Sequence, residues 1–234
     1  MPQKTQPKEK GLALPELLSG TLQKRYKRFL ADIQLDTGET IVAHCPNSGS
    51  MQACSQPGRP VWVSQSDNPK RKLQYTWELI EMPTSLVGVN TLLPNRLVFD
   101  AIHHKQVPGF CDYPEQKREV SVAGGSRLDI MLQRLGTPPC YIEIKNCTLV
   151  DKGVAEFPDA VTKRGRKHLE TLRHLVSEGN RSIAFFLIQR MDARVFRPAD
   201  QIDPEFGNAL RCAVEGGVEM MVYDVTLSQT RIAL

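Results

Sequence analysis

The chain has 234 residues, of which 41% are hydrophobic and 24% are charged, and its formal net charge is +4. A chain of this length and ordinary composition folds as one large or two modest domains, which excludes fibrous and intrinsically disordered classes. Its longest apolar run, residues 183–188, is far shorter than the roughly 20 residues of a membrane-spanning helix, and the polar N-terminus has no signal-peptide core. We therefore expect a cytoplasmic protein with no membrane partner.

Basic side chains are unevenly distributed along the chain. Residues 1–30 carry a net charge of +5, whereas residues 191–234 carry −3. Two further basic clusters lie between these segments: Lys70-Arg71-Lys72, and Lys163-Arg164 with Arg166-Lys167. Together they fit a surface that binds a polyanion such as nucleic acid. The alternative for each cluster taken alone is a solvated edge without a ligand.

The six cysteines form no C-x-x-C pair and have no regular spacing. A cytoplasmic chain of this size does not need disulfide bonds, so we expect reduced, partly buried thiols. The alternative is a zinc site at His44, Cys45 and Cys54, although these residues supply only three ligands at irregular spacing.

The first part of the chain is predicted to be all β. We expect residues 1–20 to form a flexible extension and residues 21–85 to form a nucleic-acid-binding domain. Turn signals such as Asp36-Thr37-Gly38 separate short strands, which are predicted over residues 26–34, 40–45, 61–63 and 73–79. Four or five short strands without a helix favour a small barrel such as an OB-fold.

Aromatic residues of this part lie among basic residues. OB-type barrels bind single strands by stacking bases on such rings in a basic groove. The alternative is that many of the rings simply fill the barrel interior. We predict nucleic-acid contacts from the following residues: Arg25, Tyr26, Lys27, Arg28, Lys70, Arg71 and Lys72.

The remainder, residues 86–234, is predicted to be an α/β domain, because the hydrophobic period changes after residue 87. Asn90 and Asp159 are the expected caps of its first two helices. The predicted elements in chain order are a helix at 90–103, strands at 119–122, 127–133 and 140–146, a helix from 159, a strand at 181–189, a helix at 204–215 and a strand at 218–226. This order favours a mixed sheet with helices packed on its faces.

Three charged residues on two of these strands have the spacing D-x13-E-x-K. Successive side chains of a strand point to opposite faces, so Glu143 and Lys145 share one face. Asp129 lies at the centre of the preceding strand and can stand opposite Glu143 if the two strands pair. The alternative is a structural ion pair between Glu143 and Lys145 in an edge strand.

Two carboxylates and an ammonium inside apolar strands are costly to bury without a cation. Mg²⁺ prefers oxygen ligands, so Asp129, Glu143 and the backbone carbonyl of Ile144 predict a magnesium site, in which Mn²⁺ could substitute. Such a metal stabilises the charge that develops on a phosphate under attack, and Lys145 could orient the attacking water. The predicted chemistry is therefore metal-dependent cleavage of a nucleic-acid backbone.

Three further groups are candidates for this site. Glu119 lies ten residues before Asp129 and could supply another catalytic carboxylate, or could pair with its basic neighbours. Arg164 and His168 lie one turn apart on the predicted second helix and, with Lys167, could contact phosphates. The alternative for these helix residues is exposure to solvent.

Several ordered segments resemble the bacterial and archaeal sugar fermentation stimulation protein A family. The segments are residues 25–30, 44–49, 89–91, 95–97, 126–129, 141–145, 157–161, 164–165 and 168–169. The resemblance runs from about residue 21 to residue 223 and implies an OB-fold followed by a PD-(D/E)xK nuclease-like domain. It places the nuclease motif on Asp129, Glu143 and Lys145, and adds His44, Asn47 and Arg127 to the candidate nucleic-acid contacts.

The resemblance also sets the competing functions. One is a nuclease that acts on DNA, the favoured partner, or on RNA. The other is a non-catalytic DNA-binding regulator of sugar-utilisation genes on a nuclease-like scaffold. Many nucleases of this type carry an additional glutamate on the first core helix, whereas residues 90–103 contain no Glu and only Asp100. The number of metal ions therefore stays open, as does the presence of a homo-oligomer.

Overall fold

A computed structural model describes residues 10–122 and 125–234 of the chain. The beginning of the expected extension, with Lys4 and Lys8, lies outside these residues. The strands of the first half are β1 (Leu12–Ala13), β2 (Leu17–Tyr26), β3 (Leu30–Leu35), β4 (Thr40–His44), β5 (Pro60–Gln65), β6 (Tyr75–Met82) and β7 (Ser85–Gly88). Within the two described stretches, no helix is long and apolar enough to cross a membrane.

The elements of the second half include three helices. They are α1 (Leu93–His103), α2 (Lys163–Ser177) and α3 (Pro204–Glu215). The strands are β8 (Glu115–Val122), β9 (Ser126–Gln133), β10 (Cys140–Cys147), β11 (Leu149–Asp151), β12 (Val154–Phe157), β13 (Arg181–Ile188), β14 (Val195–Pro198), β15 (Glu219–Asp224), β16 (Thr226–Leu227) and β17 (Arg231–Ala233).

Strands β2 to β7 form the predicted barrel. Their order in the sheet is β4-β3-β2-β5-β6-β7, and a parallel pairing between β4 and β6 closes five of the strands on themselves. The interior is apolar, because alternate residues such as Leu22, Ile33 and Trp77 are completely buried. The prediction of an OB-fold is confirmed.

Two details of the first half differ from the predictions. The strand predicted over residues 26–34 is a hairpin, because Lys27 and Arg28 adopt positive φ angles of 46° and 66° and reverse the chain between β2 and β3. Part of the expected flexible extension, residues 1–20, lies in strands. Strand β1 pairs with β17, and β2 starts at Leu17. Leu14, between the two strands, is buried in the core of the second domain.

The second half is a mixed sheet of order β15-β13-β10-β9-β8 with helices on both faces, as predicted. Strand β10 pairs in parallel with β13 and antiparallel with β9. Helix α1 packs on one face against Ile142 and Ile144, while α2 and α3 cover the other face through residues such as Leu172 and Phe206. Because side chains alternate along β10, Glu143 and Lys145 point to the face that α2 covers.

The entry to α2 also differs from the prediction. The cap is Thr162, whose hydroxyl accepts a hydrogen bond from the Gly165 amide at 3.0 Å, and not Asp159. Asp159 instead accepts a hydrogen bond from the Met51 amide of the barrel at 3.0 Å. The carboxylate is therefore occupied in joining the two domains. A three-stranded sheet of β11, β12 and β14 was not predicted. Its strand β12 ends at Phe157, shortly before Asp159.

Candidate active site

Glu143 and Lys145 form a buried ion pair on the central strand β10. The Lys145 Nζ donates to Glu143 Oε1 at 2.7 Å, and the side chains are only 5% (Glu143) and 10% (Lys145) exposed. This strand is covered by β9 and β13 on its two edges, so the pair does not lie on an edge strand. A buried pair of this kind is weak evidence for stability, because removing both charges from water is costly.

His168 on α2 completes the contacts of the ion pair. Its Nδ1 makes a close contact with Glu143 Oε1, and Arg164 Nε donates to its other ring nitrogen, Nε2, at 3.4 Å. Because Nε2 accepts, the proton of a neutral imidazole lies on Nδ1 and is donated to Glu143. Burial raises the pKa of Glu143, but the hydrogen bonds from His168 and the charge of Lys145 outweigh it, and the pKa is lowered.

Asp129 on β9 lies next to this cluster. Its Oδ2 accepts a hydrogen bond from the Ile144 amide and its Oδ1 accepts one from the Asn95 side chain, both at 2.7 Å. The ladder pairs Ile142 with Ile130, so the same register continued by one residue puts Asp129 opposite Glu143. Burial, and then the charge of Glu143, raise the pKa of Asp129 to about 7 despite these hydrogen bonds.

The donor set fits a hard cation held by few protein ligands. Glu143 Oε2 is buried and finds no hydrogen-bond partner within residues 10–122 and 125–234, which leaves a buried acceptor without compensation. Among the residues that the structure describes, no three or more His, Cys, Asp or Glu side chains are grouped to hold a metal. Two carboxylates with a backbone carbonyl and water suit Mg²⁺ better than a cation that needs a full protein cage.

The raised pKa of Asp129 predicts how stability depends on pH when no metal is bound. The pKa of Asp129 in the folded protein, about 7, is above its ordinary value of 3.8. Protonation of Asp129 therefore stabilises the fold fully below about pH 3.8, and this stabilisation is lost as the pH rises through about 7. Asp129→Asn removes this loss, and the Asn95 amide can rotate to keep both hydrogen bonds.

We therefore expect Asp129→Asn to be more stable than the unmodified chain at about pH 8 in EDTA, by on the order of 2 kcal/mol. At about pH 5, where the wild-type carboxyl is mostly protonated, the two proteins are expected to differ much less. Urea unfolding at both pH values measures the difference. A difference that stays constant with pH would contradict the assignment of the raised pKa to Asp129.

The structure does not bring Glu119 into this cluster. Glu119 has a positive φ of 54° in β8, and its half-exposed carboxylate lies 3.8 Å from the Arg127 guanidinium. Arg127 is exposed as well. The ion-pair partner of Glu119 is therefore Arg127 on the neighbouring strand, and not a basic residue next to Glu119 in the sequence.

The predicted nucleic-acid contacts fall into three groups: residues with a structural role, exposed basic residues, and partly buried residues. Arg25 and Asn47 are structural in part, because the Arg25 guanidinium donates to the carbonyls of Asn47, Gly49 and Ser50 at 2.9–3.0 Å. Lys27, Arg28, Lys70, Lys72, Arg164 and Lys167 are exposed. Arg71 donates to Thr76 at 2.7 Å, while Tyr26 and His44 are half-buried. A hydrogen bond with Asp32 raises the pKa of Tyr26, and burial followed by the charge of Arg71 lowers the pKa of His44.

All six cysteines are free thiols, and four are buried. The Cys45 and Cys54 thiols lie in the barrel core, and burial raises the pKa of Cys54 to about 12. Such a thiol is a poor metal ligand, because metals bind the thiolate. The chemistry of these two residues does not favour the zinc alternative.

Two residues of the cluster were not predicted in their present roles. Asn95 holds Asp129 from α1, and its only signal was that it lies within a segment of the family resemblance. His168 was expected to face phosphates or solvent, but it is 5% exposed and contacts Glu143. The signal for His168 was its position on the same helix face as the apolar stripe of Leu172 and Leu175.

Comparison with known proteins gives a consistent result over nearly the whole chain. The family model "SfsA N-terminal OB domain" matches residues 24–89, and the model "Sugar fermentation stimulation protein RE domain" matches residues 92–231. The sugar fermentation stimulation protein homolog of Acidithiobacillus ferrooxidans is 49% identical over 222 residues, which are 94% of this chain and 96% of the relative. The homolog of Geobacter sulfurreducens is 49% identical over 218 residues, 93% of each chain.

A solved structure shares the fold. Pyrococcus furiosus SfsA in complex with Ca²⁺ superposes with a TM-score of 0.87 and 23% identity, covering 96% of this chain and 95% of that one. The OB barrel, the mixed sheet with its helices and their order in the chain are thus common to both proteins. The matching models and the close relatives together show that the chain belongs to the sugar fermentation stimulation protein family.

Proposed function

We propose that this protein is a metal-dependent nuclease that hydrolyses the phosphodiester backbone of nucleic acid at Asp129, Glu143 and Lys145. The observation that carries the proposal is the buried Oε2 of Glu143, which has no partner in the described part of the chain, together with a second carboxylate whose pKa is raised by burial and then by the charge of Glu143. Two carboxylates this close are stable together when a cation lies between them. A purely structural ion pair between Glu143 and Lys145 would not require the carboxylate of Asp129 beside it.

Asp129, Glu143 and the backbone carbonyl of Ile144 would hold the ion. A divalent cation is supported by the Ca²⁺ of the Pyrococcus relative, and we propose Mg²⁺, with Mn²⁺ as a substitute, for this chain. When bound, such an ion neutralises charge on the phosphate and makes water a better nucleophile. The proposed site needs no covalent attachment of the substrate to a side chain.

The chain's own groups have separate roles in this proposal. Lys145 supplies a buried positive charge, which in a low-dielectric site stabilises negative charge that develops on the attacked phosphate. His168 and Asn95 do not contact the substrate; they fix the orientation of Glu143 and Asp129 through hydrogen bonds. The OB barrel would hold the strand by the combination of basic and aromatic residues that such barrels use.

The second candidate is a DNA-binding regulator that does not cleave. The names of the relatives, which refer to stimulation of sugar fermentation, favour it. The two functions differ in what the carboxylates do. A pure binder should bind as well or better when Asp129 and Glu143 lose their charge, because both repel phosphate. A nuclease should lose turnover.

A cleavage panel tests the proposal. Labelled single- and double-stranded DNA and RNA of one sequence are incubated with the purified protein in Mg²⁺, Mn²⁺, Ca²⁺ or EDTA. We expect at least one substrate to be cut in Mg²⁺ and in Mn²⁺ and none in EDTA. Cleavage of the phosphodiester backbone needs a cation that stabilises the negative charge developing in the transition state. If every substrate is bound but none is cut under any metal, the regulator is the better account.

A further inference from the structure

A cavity of about 390 Å³ opens beside the candidate active site, at the junction of the barrel and the mixed sheet. On one side it is lined by Lys145 and its neighbours on β10, and on the other by Arg28 and the Asn47–Ser48–Gly49 turn of the barrel. The start of α2, with Arg164, closes a third side. The cavity therefore lies between the barrel and the strand that carries the proposed catalytic lysine.

The barrel wall of this cavity is held in place from both domains. The Arg25 guanidinium binds three carbonyls of the 47–50 turn. From the other domain, Asp159 binds the Met51 amide, and the Thr91 hydroxyl contacts the Pro46 carbonyl. Gly49 lies so close to Asp159 that an added Cβ would approach the carboxylate to 2.4 Å. The cavity is thus built into the folded protein and needs no partner to form it.

The charge of the lining suits a phosphate. Three of its four charged residues are basic, namely Arg28, Lys145 and Arg164, and the fourth is Asp159, which is occupied by the Met51 amide. Helix α2 begins at this cavity, so the positive end of its dipole adds to the same potential. A volume of this size lies in the range of about 300–1,000 Å³ typical of sites for small ligands.

Exposed apolar side chains belong to the lining or directly follow lining residues in the chain. Val161, which lines the cavity, is 66% exposed. Phe29 follows Arg28 in the hairpin loop and is 42% exposed, and Leu92 follows the lining residue Thr91 and is 66% exposed. Of these, the exposed Phe29 ring beside the Arg28 guanidinium is the combination of aromatic and basic groups on which unpaired bases stack.

We infer that this cavity binds one unpaired nucleotide next to the phosphate that is cut, so that the substrate is single-stranded nucleic acid. A base paired and stacked within a duplex cannot enter such a cavity unless it is taken out of the stack. The inference rests on the proposed function for the position of the cut, but the binding of an unpaired nucleotide does not itself depend on cleavage.

Binding measurements with labelled oligonucleotides of one sequence test this inference. Single-stranded DNA, single-stranded RNA and the matching duplex are titrated by fluorescence anisotropy in Ca²⁺ and in EDTA, with intact substrate verified on a gel. We expect the better of the two single strands to bind at least about tenfold more tightly than the duplex, the gain expected from one stacked base. The DNA and RNA arms show which sugar the cavity accepts.

Two variants locate the site. Arg28→Gln removes a lining charge, and Ser48→Trp introduces a large side chain at a lining position, in a lining that does not include Asp129 or Glu143. Each is expected to weaken single-strand binding by about five- to tenfold, with little effect on the duplex. The matched controls are Lys152→Gln, an exposed basic residue in another hairpin turn with a positive φ of 47°, and Ser177→Trp at the exposed end of α2. Both controls are expected to bind as the unmodified chain does.

The outcomes separate this inference from the proposed function. Equal affinity for duplex and single strand, or unchanged single-strand binding by both cavity variants, overturns the inference even if the protein cuts nucleic acid. If the cavity variants weaken single-strand binding but no substrate is ever cut, the cavity stands as a binding site and the proposed nuclease fails. Circular dichroism and thermal unfolding verify that each variant is folded.

Discussion

Replacing Glu143 with glutamine is expected to lower Mg²⁺-dependent cleavage by about a thousandfold or more, since loss of a charged metal ligand removes several kcal/mol of transition-state stabilisation. The substitution keeps the size of the side chain but removes the charge that would bind the cation. It also leaves Lys145, which is 10% exposed, without its counter-ion. Both consequences act at the same point of the proposed reaction, and we expect the rate to fall while nucleic-acid binding is largely retained.

The control for this variant is Glu156→Gln. Glu156 is also a buried glutamate, and its carboxylate binds Arg197 and Gln201 at 2.7–2.8 Å, away from the candidate site. Initial cleavage rates and calorimetric titration of Mg²⁺ are measured for both variants. We expect the Glu156 variant to keep its rate and its metal affinity. A Glu143 variant that cuts within about threefold of the unmodified chain, a difference of less than 1 kcal/mol, would contradict the assignment.

His168→Ala is expected to reduce the cleavage rate by about 10- to 100-fold, the range found when a residue that orients a metal ligand is removed. In the proposed site His168 is a positioning residue: it contacts Glu143 Oε1, and Oε2 would be left to the cation. Without the ring, the carboxylate keeps its bond from Lys145 but can rotate. The loss is therefore expected in both metal affinity and rate, and not in the affinity for the nucleic acid.

Two further variants distinguish this role from a general loss of packing. His168→Asn places an amide nitrogen near the position of Nδ1 and is expected to recover part of the rate that His168→Ala loses. His174→Ala removes an exposed histidine of the same helix, where it pairs with Glu178, and is expected to be neutral. Equal rates for the alanine and asparagine variants at position 168 would indicate that the ring acts by filling space.

The parts of the site that the sequence predicts are those set by local geometry. The period of two along a strand is sufficient to put Glu143 and Lys145 on one face of β10. Asp129 was expected opposite Glu143 if the two strands pair, and they do pair antiparallel, in a ladder that ends with Ile142 opposite Ile130, one residue before these carboxylates. Strand alternation and short-range pairing are local properties, so they can be recovered without knowing the rest of the fold.

The parts that the sequence does not predict depend on long-range packing. Which face of α2 turns towards β10 is decided by the contacts of Leu169 and Leu172 with the sheet, and this places His168 inside the cluster. Asp159 has the residue type and position of a helix cap, but it is used by a barrel amide 108 positions away in the chain. The pairing of β1 with β17 joins the two ends of the chain and has no local signal.

The nucleic-acid contacts illustrate the same division. Arg25 and Arg28 look alike in the sequence, because both lie in one basic segment beside aromatic residues. The structure separates them: Arg25 is held by three backbone carbonyls, whereas Arg28 is exposed at the cavity. A basic cluster therefore predicts that a surface meets a polyanion, but the individual roles follow from the turn that each side chain occupies.

The measurement that tests the central claim most directly compares cleavage by the unmodified chain with cleavage by the triple variant Asp129→Asn, Glu143→Gln, Lys145→Met. Both are purified identically and assayed in Mg²⁺ on the substrate that the panel identifies. We predict cleavage by the unmodified chain that EDTA abolishes, and none by a triple variant that still binds the oligonucleotide. Equal cleavage by the two proteins would contradict the claim, because the activity would then arise outside these three residues.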